Sequence, residues 1–103
     1  MTESLHVSLS DYAQTRRITL QGILDYSTIS EISHDVYIIP ATIKEIILDI
    51  EQVDFIDSTG VGLFIHLIHQ ANENDSKLTI AGGKEVVVDT LETLGVYQIL
   101  SVM

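Results

Sequence analysis

The sequence predicts a single α/β domain over residues 1–103, in which a mixed, mostly parallel sheet of about four strands packs with three main helices. One observation behind this fold class is that strand-like segments alternate with segments that have apolar residues at helical spacing. Another is size and composition: 103 residues, 46% hydrophobic and 19% charged, suffice for one hydrophobic core. Neither an internal repeat nor a linker-like stretch divides the chain.

Four segments have the pattern of β-strands. Residues 5–9 and 16–20 alternate apolar and polar side chains, which is typical of half-buried strands. Residues 45–50 are β-branched and apolar on both faces, which indicates a central strand covered on both sides. Residues 78–81 form a shorter fourth candidate. The order of these segments predicts β-β-α-β-α-β-α.

The first helical pattern follows the second strand. Thr28 and Glu31 have the spacing of a capping box, so we expect a helix to begin there. The helix should end before Pro40, which cannot continue it. Its apolar positions recur at helical intervals, as Ile29, Ile32 and Val36.

Two more helices are predicted further along the chain. A broad apolar stripe indicates a second helix from about Thr59 or Gly60 to about Asn74. A third pattern over residues 87–94 ends at Gly95, a residue type that commonly terminates helices. A short tail follows at residues 97–100.

The charge balance limits the classes of partner. Fifteen Asp and Glu against five Lys and Arg give a net charge of −10, which disfavours nucleic acid and anionic membranes and favours a basic patch on a partner protein. Without cysteine the chain has no disulfide, thiolate metal site or cysteine nucleophile. The polar N-terminus lacks the pattern of a secretory signal, and no apolar run reaches membrane-spanning length, so we expect a cytoplasmic protein.

The junction between the central strand and the second helix is the candidate site. Ligands favour the carboxyl ends of strands in α/β folds, and a helix N-terminus offers unpaired N–H groups and a dipole that favour negative charge. A phosphate on a hydroxyl at this point, such as that of Ser58, would therefore be stabilised. The alternative is that Asp57, Ser58 or Thr59 serves only as an N-cap.

The residues at this junction resemble a known family. The hexapeptide Asp-Ser-Thr-Gly-Val-Gly at residues 57–62 resembles the D-S-T/S-G-L/V-G signature of the STAS domain, and in particular of bacterial anti-sigma factor antagonists. Gly-Ile-Leu-Asp at residues 22–25 resembles that family's G-x-L-D, and residues 47–50 and 53–56 resemble its central strand and loop. Leu-Gly-Val at residues 94–96 resembles the L-G-L/V after its last long helix, so the likeness covers nearly the whole chain.

The resemblance implies a phosphorylation switch in which this chain is a substrate and binding protein and not an enzyme. An anti-sigma factor that is an ATP-dependent serine kinase would phosphorylate Ser58. The dephosphorylated chain would bind that kinase and displace the sigma factor, and a metal-dependent serine phosphatase would reset the switch. We expect no cofactor or metal, and we expect these residues to contact the partner: Asp25, Asp57, Thr59, Gly60, Val61 and Gly62.

Other roles remain open for several of these residues. Asp25 is either a residue that influences kinase recognition or a turn or N-cap residue before the first helix. Asp57 is a partner contact, a residue that orients the neighbouring hydroxyl, or a cap. Gly60 and Gly62 are costly near a helix start, which indicates either close approach of a partner or tight packing against the sheet. Thr59 could also compete as the phosphate acceptor.

A different function is also compatible with the sequence. Some STAS domains are constitutive adaptors of larger complexes such as lipid-transport ATPases, in which case Ser58 would be only a cap. Catalytic motifs are incomplete. His66 and His69 lack a further ligand in a known metal-site spacing, and the nucleophile-elbow, dinucleotide-binding and P-loop patterns each fail at a required glycine.

Overall fold

Nine elements of secondary structure follow one another in the computed structural model, which describes residues 4–102. Their order and bounds are β1 (Leu5–Tyr12), β2 (Thr15–Leu24), a short 3-10 helix (Ile29–Glu31), α1 (His34–Tyr37), β3 (Glu45–Ile56), α2 (Ser58–Glu73), β4 (Lys77–Ala81), α3 (Glu85–Thr93) and α4 (Val96–Ser101). None of the helices in this part of the chain combines the length and apolarity needed to span a membrane.

The four strands form one sheet in the order β1-β2-β3-β4. β1 and β2 are antiparallel because only two residues connect them, whereas β2, β3 and β4 are parallel to one another because helices fill the crossovers between them. The predicted mixed, mostly parallel sheet is therefore confirmed.

β3 lies between β2 and β4 and supplies the centre of the core. Its residues Ile46, Leu48 and Ile50 are fully buried, and α2 contributes a buried stripe that includes Phe64 and Leu67. The opposite face of β3 is only half-buried, so the expectation that both faces are covered was wrong. Polar neighbours shield that face instead, since Thr15 Oγ1 donates to Glu45 at 3.3 Å and Arg17 pairs with Asp49 at 2.8 Å.

β3 is longer than its sequence pattern indicated. Residues 53–56, expected in a loop, continue the strand, and its pairing with β2 shifts register twice. The shifts accompany a change in burial, because Glu51 and Gln52 are both exposed where strict alternation would bury one of them. The extended strand ends at Ile56, directly before the candidate site.

The first predicted helix is not continuous. A 3-10 helix at Ile29–Glu31 is separated from α1 by Ile32, whose backbone is extended, and Ser33 starts α1 afresh by accepting a hydrogen bond from the Asp35 amide at 3.3 Å. The capping box was also wrong, because the Thr28 hydroxyl donates to the Ile23 carbonyl at 2.8 Å and makes no cap bond.

The later helices agree closely with the prediction. α2 begins one residue before the expected start and ends at Glu73, one residue before the expected end. α3 ends before Gly95, which has a left-handed backbone (φ 77°), as the predicted helix terminator requires. The expected tail is the short helix α4.

The β1–β2 hairpin contains a strained residue. Ala13 has φ 55°, a conformation that costs a residue with a Cβ about 1 kcal/mol or more but is free of that cost for glycine. We expect Ala13→Gly to raise the free energy of unfolding by about 0.5–1 kcal/mol, measured by urea denaturation. Ala41→Gly, at an exposed turn residue without positive φ, is the control and should not stabilise the fold.

Candidate functional site

Asp57 is the N-cap of α2. Its Oδ1 accepts hydrogen bonds from the Thr59 amide at 2.9 Å and the Gly60 amide at 3.0 Å. Ser58 is the first residue of the helix and is exposed, and within residues 4–102 no hydrogen bond involves its hydroxyl. Of the three candidate caps, Asp57 is therefore the one used, which leaves the Ser58 hydroxyl accessible.

The same carboxylate binds a second segment of the chain. Asp57 Oδ2 accepts from the Tyr26 amide at 3.1 Å, and the Asp57 amide donates to the Leu24 carbonyl at 3.3 Å. The segment at residues 25–28, which we call the Tyr26 loop, is thereby joined to the first turn of α2. One side chain fixes both sides of the candidate site.

Internal hydrogen bonds hold the Tyr26 loop in shape. Asp25 Oδ1 accepts from the Ser27 amide (2.9 Å), the Ser27 hydroxyl (2.7 Å) and the Thr28 amide (3.2 Å). The buried Thr28 hydroxyl accepts from the Asp25 amide at 3.0 Å. These bonds, above all that from the Ser27 side chain, hold the pKa of Asp25 below its usual value. Asp25 thus has a structural role in a turn.

The two glycines of α2 differ in their surroundings. A Cβ on Gly60 would lie 2.5 Å from the Leu24 carbonyl oxygen, so this position allows the helix to approach the sheet closely. A Cβ on Gly62 would meet nothing within 4 Å, and Gly62 is exposed. Tight packing against the sheet therefore explains why residue 60 is glycine. Close approach of a partner is the other predicted reason, and it stays open for Gly62.

The residues predicted to contact a partner fall into two groups. Asp25, Asp57 and Thr59 are partly accessible, and Gly62 is exposed. Gly60 and Val61 are buried, with Val61 only 3% exposed, because they face β2 and the core. In this conformation neither residue is accessible, and direct contact with a partner at these two positions stays a prediction.

Sequence reasoning missed Tyr26. Its side chain is 81% exposed, and it lies in the loop that Asp57 binds. Phe55, two residues before Asp57, is 45% exposed and adds a second aromatic near the site. An aromatic residue between Asp25 and Ser27 in a polar turn was the one available signal.

Positive charge is scarce at the Ser58 end of the sheet. Lys84 lies at this end, where it forms an ion pair with Asp54. The other four cationic side chains lie where β2, β3 and β4 begin, at the opposite end: Arg16, Arg17, Lys44 and Lys77. A negative group added at Ser58 would therefore gain little neutralisation from the Lys and Arg side chains of residues 4–102.

His66 of α2 contacts the end of α1. His66 Nε2 lies 3.1 Å from the Tyr37 carbonyl oxygen, and the two rings meet edge to face with centroids 5.4 Å apart. Across residues 4–102, no cluster of three or more His, Asp or Glu side chains is arranged to hold a metal ion. His66 is thus engaged away from Ser58.

The glycine contacts generate a matched pair of substitutions. Gly60→Ala should lower the free energy of unfolding by about 1–3 kcal/mol, because the new methyl group overlaps the Leu24 carbonyl. Gly62→Ala should raise it by up to about 1 kcal/mol, because alanine is the better helix former and space is available. Urea denaturation of both variants measures the effect, and equal shifts would contradict the packing assignment.

Asp25 generates a pH dependence. Because its pKa is lowered on folding, its contribution to stability is present above its unfolded pKa and is lost as the pH falls through the folded value. Asp25→Asn keeps the accepting oxygen without the titration, so this variant should lose less stability than the wild type between pH 5 and pH 2 (about these limits).

NMR titration supplies the direct measurement for this carboxyl. Ser27→Ala removes the strongest of its hydrogen bonds, so the pKa of Asp25 should move back toward its ordinary value. An unchanged carboxyl titration in Ser27→Ala would show that the Ser27 bond is not what lowers this pKa.

Comparisons with known proteins agree with this architecture. The sequence model described as the STAS domain matches residues 9–102. The anti-sigma-B factor antagonist of Staphylococcus aureus (strain NCTC 8325) is 32% identical over 59 residues, which are 57% of this chain. The alignment spans 55%, about half, of that relative's own length.

Solved structures share the fold at low sequence identity. The unphosphorylated form of the anti-sigma factor antagonist SpoIIAA is 21% identical with a TM-score of 0.73, covering 88% of this chain and 82% of that one. The phosphorylated Bacillus form gives 21% and 0.71, covering 90% and 86%. An anti-sigma factor antagonist from Mycobacterium paratuberculosis gives 12% and 0.78, covering 91% and 80%.

The family match extends over most of the chain and includes the strand-to-helix junction where Asp57 caps α2. Together with the four-stranded mixed sheet and its helices, it assigns the fold and the family. This chain belongs to the STAS domain family.

Proposed function

We propose that this chain is a cytoplasmic anti-sigma factor antagonist controlled by phosphorylation of Ser58. When Ser58 is unmodified, the chain binds an anti-sigma serine kinase and thereby frees the sigma factor. When Ser58 is phosphorylated, the chain releases the kinase. A metal-dependent serine phosphatase restores the binding form. The observation that carries the proposal is the exposed Ser58 hydroxyl, which is free because Asp57 performs the capping.

The covalent step requires only the hydroxyl from this chain. Ser58 Oγ attacks the γ-phosphorus of ATP, an O–P bond forms, the bond to ADP breaks, and the hydroxyl proton passes to a base on the kinase. The chain is a phosphate acceptor and binding surface, and the kinase supplies the catalytic groups. Support for this division of roles comes from relatives whose names are those of antagonists.

The phosphate would act through its charge. It adds about −1.5 to −2 charge beside the Asp57 carboxylate, which already accepts the amides of Thr59 and Gly60. The expectation that free helix amides stabilise the phosphate therefore applies weakly here. Lys84, the cation at this end of the sheet, is paired with Asp54. The added charge would therefore have to lose its hydration against a closely packed partner surface, which opposes binding.

The exposed surface beside Ser58 suits a partner that approaches closely. Gly62 presents no side chain on the accessible face of α2, while Asp57 and Thr59 are partly accessible in the preceding turn. A methyl group at position 62 would separate a tightly packed partner from the helix. Gly62→Ala is therefore expected to weaken partner binding even though it stabilises the fold.

Phosphate mapping tests whether Ser58 is the acceptor. Incubation with Mg-ATP and lysate of the source organism should add one phosphate to Ser58, located by intact mass and fragment analysis, and none to Ser58→Ala. The Staphylococcus aureus antagonist, treated in parallel, verifies that a kinase of the required type is active. Modification of Thr59 alone would contradict the assignment of the acceptor. Absence of phosphate beside a modified positive control would favour the constitutive adaptor.

Binding measurements test the direction of the switch. The purified anti-sigma-B factor of Staphylococcus aureus is a defined probe, with that organism's antagonist as the positive control. Ser58→Ala should bind as tightly as the wild type, and Ser58→Asp should bind about tenfold or more weakly because its charge would lose its hydration in a closely packed interface. Ser8→Asp adds the same charge at an exposed site on β1 and should bind normally. Equal affinity of Ser58→Ala and Ser58→Asp would overturn the switch.

A further inference from the structure

Tyr26 exposes an aromatic side chain that the fold does not use. Its exposed fraction is 81%, which is matched among the tyrosines by Tyr12 at 84%, whereas Tyr37 and Tyr97 are half-buried. Aromatic side chains contribute most to protein stability when they are buried, so Tyr26 contributes little by packing. A contact with another protein would explain an exposed tyrosine at position 26.

The backbone that carries Tyr26 is fixed on both sides. Its own amide donates to Asp57 at 3.1 Å, and the residues around it are tied together by the bonds from Ser27 and Thr28 to Asp25. The Thr28 hydroxyl anchors the far end of the loop to the Ile23 carbonyl at 2.8 Å. The backbone around Tyr26 is therefore already ordered before a partner binds. Binding would restrict only a side chain with few rotatable bonds, so the loss of conformational entropy would be small.

The position of Tyr26 relative to Ser58 is set by a single carboxylate. Asp57 Oδ2 binds the Tyr26 amide, and Asp57 Oδ1 binds the Thr59 amide at 2.9 Å. The Tyr26 loop and the turn that carries Ser58 thus lie side by side on one surface. Tyr12 lies in the β1–β2 hairpin at the start of β2, at the opposite end of the sheet.

We infer that Tyr26 is an anchoring residue of the partner-binding surface, with its phenol ring inserting into an apolar pocket of the anti-sigma kinase. This inference rests on the proposed function and adds the chemistry of the partner's site. The pocket would accept an aromatic ring, and its rim would be basic, because the carboxylates of Asp25 and Asp57 lie beside Tyr26. Large rigid aromatics with these properties supply much of the binding energy of protein interfaces.

Tyr26 and Ser58 have separable effects in this arrangement. Tyr26 provides affinity in the binding state, and Ser58 determines which state is present. Loss of the ring should weaken docking of the chain as a substrate without altering the hydroxyl that accepts the phosphate. The kinetic signature is therefore a higher KM for phosphorylation with kcat unchanged, provided that chemistry is slower than dissociation.

The experiment compares Tyr26→Ala with Tyr12→Ala, which removes an equally exposed ring far from Ser58. Binding is measured by calorimetry against the purified anti-sigma-B factor of Staphylococcus aureus, and Ser58 phosphorylation by that factor is followed with Mg-ATP. Tyr26→Ala should raise Kd by about 30-fold and raise KM, while Tyr12→Ala should match the wild type. Tyr26→Phe keeps the ring and should restore most of the affinity.

The possible failures are distinguishable. If the wild type neither binds nor is phosphorylated while the Staphylococcus aureus antagonist does both, the proposed function fails. If the wild type binds and Tyr26→Ala binds equally well, the proposed function stands and the anchoring role is overturned. An equal loss in Tyr12→Ala would also overturn it, because the effect would then not depend on position. Unchanged urea denaturation of Tyr26→Ala verifies that the fold is intact.

Discussion

The geometry of the site depends on the carboxylate of Asp57. One oxygen satisfies two amides of the first turn of α2, and the other satisfies the amide of Tyr26, 31 residues earlier in the chain. A negative cap at a helix N-terminus is favourable both as a hydrogen-bond acceptor and through the helix dipole. Because its two oxygens bind two different segments, the carboxylate that caps α2 also fixes the position of the Tyr26 loop.

The strength of the sequence signals explains how much of the fold was predictable. α2 has a long apolar pattern with clear ends and was recognised, as was the terminator Gly95. The apolar first half of β3 was also recognised, but its continuation to Ile56 was not. The first helix was misjudged because Ile32 and Val36 fit a continuous helix as well as they fit two short turns. Ser33 is the N-cap of α1, but the local spacing did not distinguish it from Thr28 as the start of a helix.

The site was only partly predictable for a different reason. The motif identified Ser58 and its surroundings, but the separate roles of Gly60 and Gly62 depend on the Leu24 carbonyl, which lies on another strand. The importance of the Tyr26 loop likewise depends on a bond between the segments that follow β2 and β3. Local patterns identify which residue types are unusual, whereas long-range contacts decide what each of them does.

The uneven placement of cations gives the molecule an electric dipole along its strands. The first residues of parallel strands lie at the same end of the sheet. The cationic side chains there partly offset the acidic groups of that end: Arg16, Arg17, Lys44 and Lys77. At the end with Ser58, Lys84 is the one Lys or Arg among residues 4–102, and it is paired with Asp54. A positively charged molecule diffusing nearby would be turned toward that end before contact, over a range of about 8 Å at physiological ionic strength. The direction of the parallel strands therefore also favours one orientation of a positively charged molecule as it approaches.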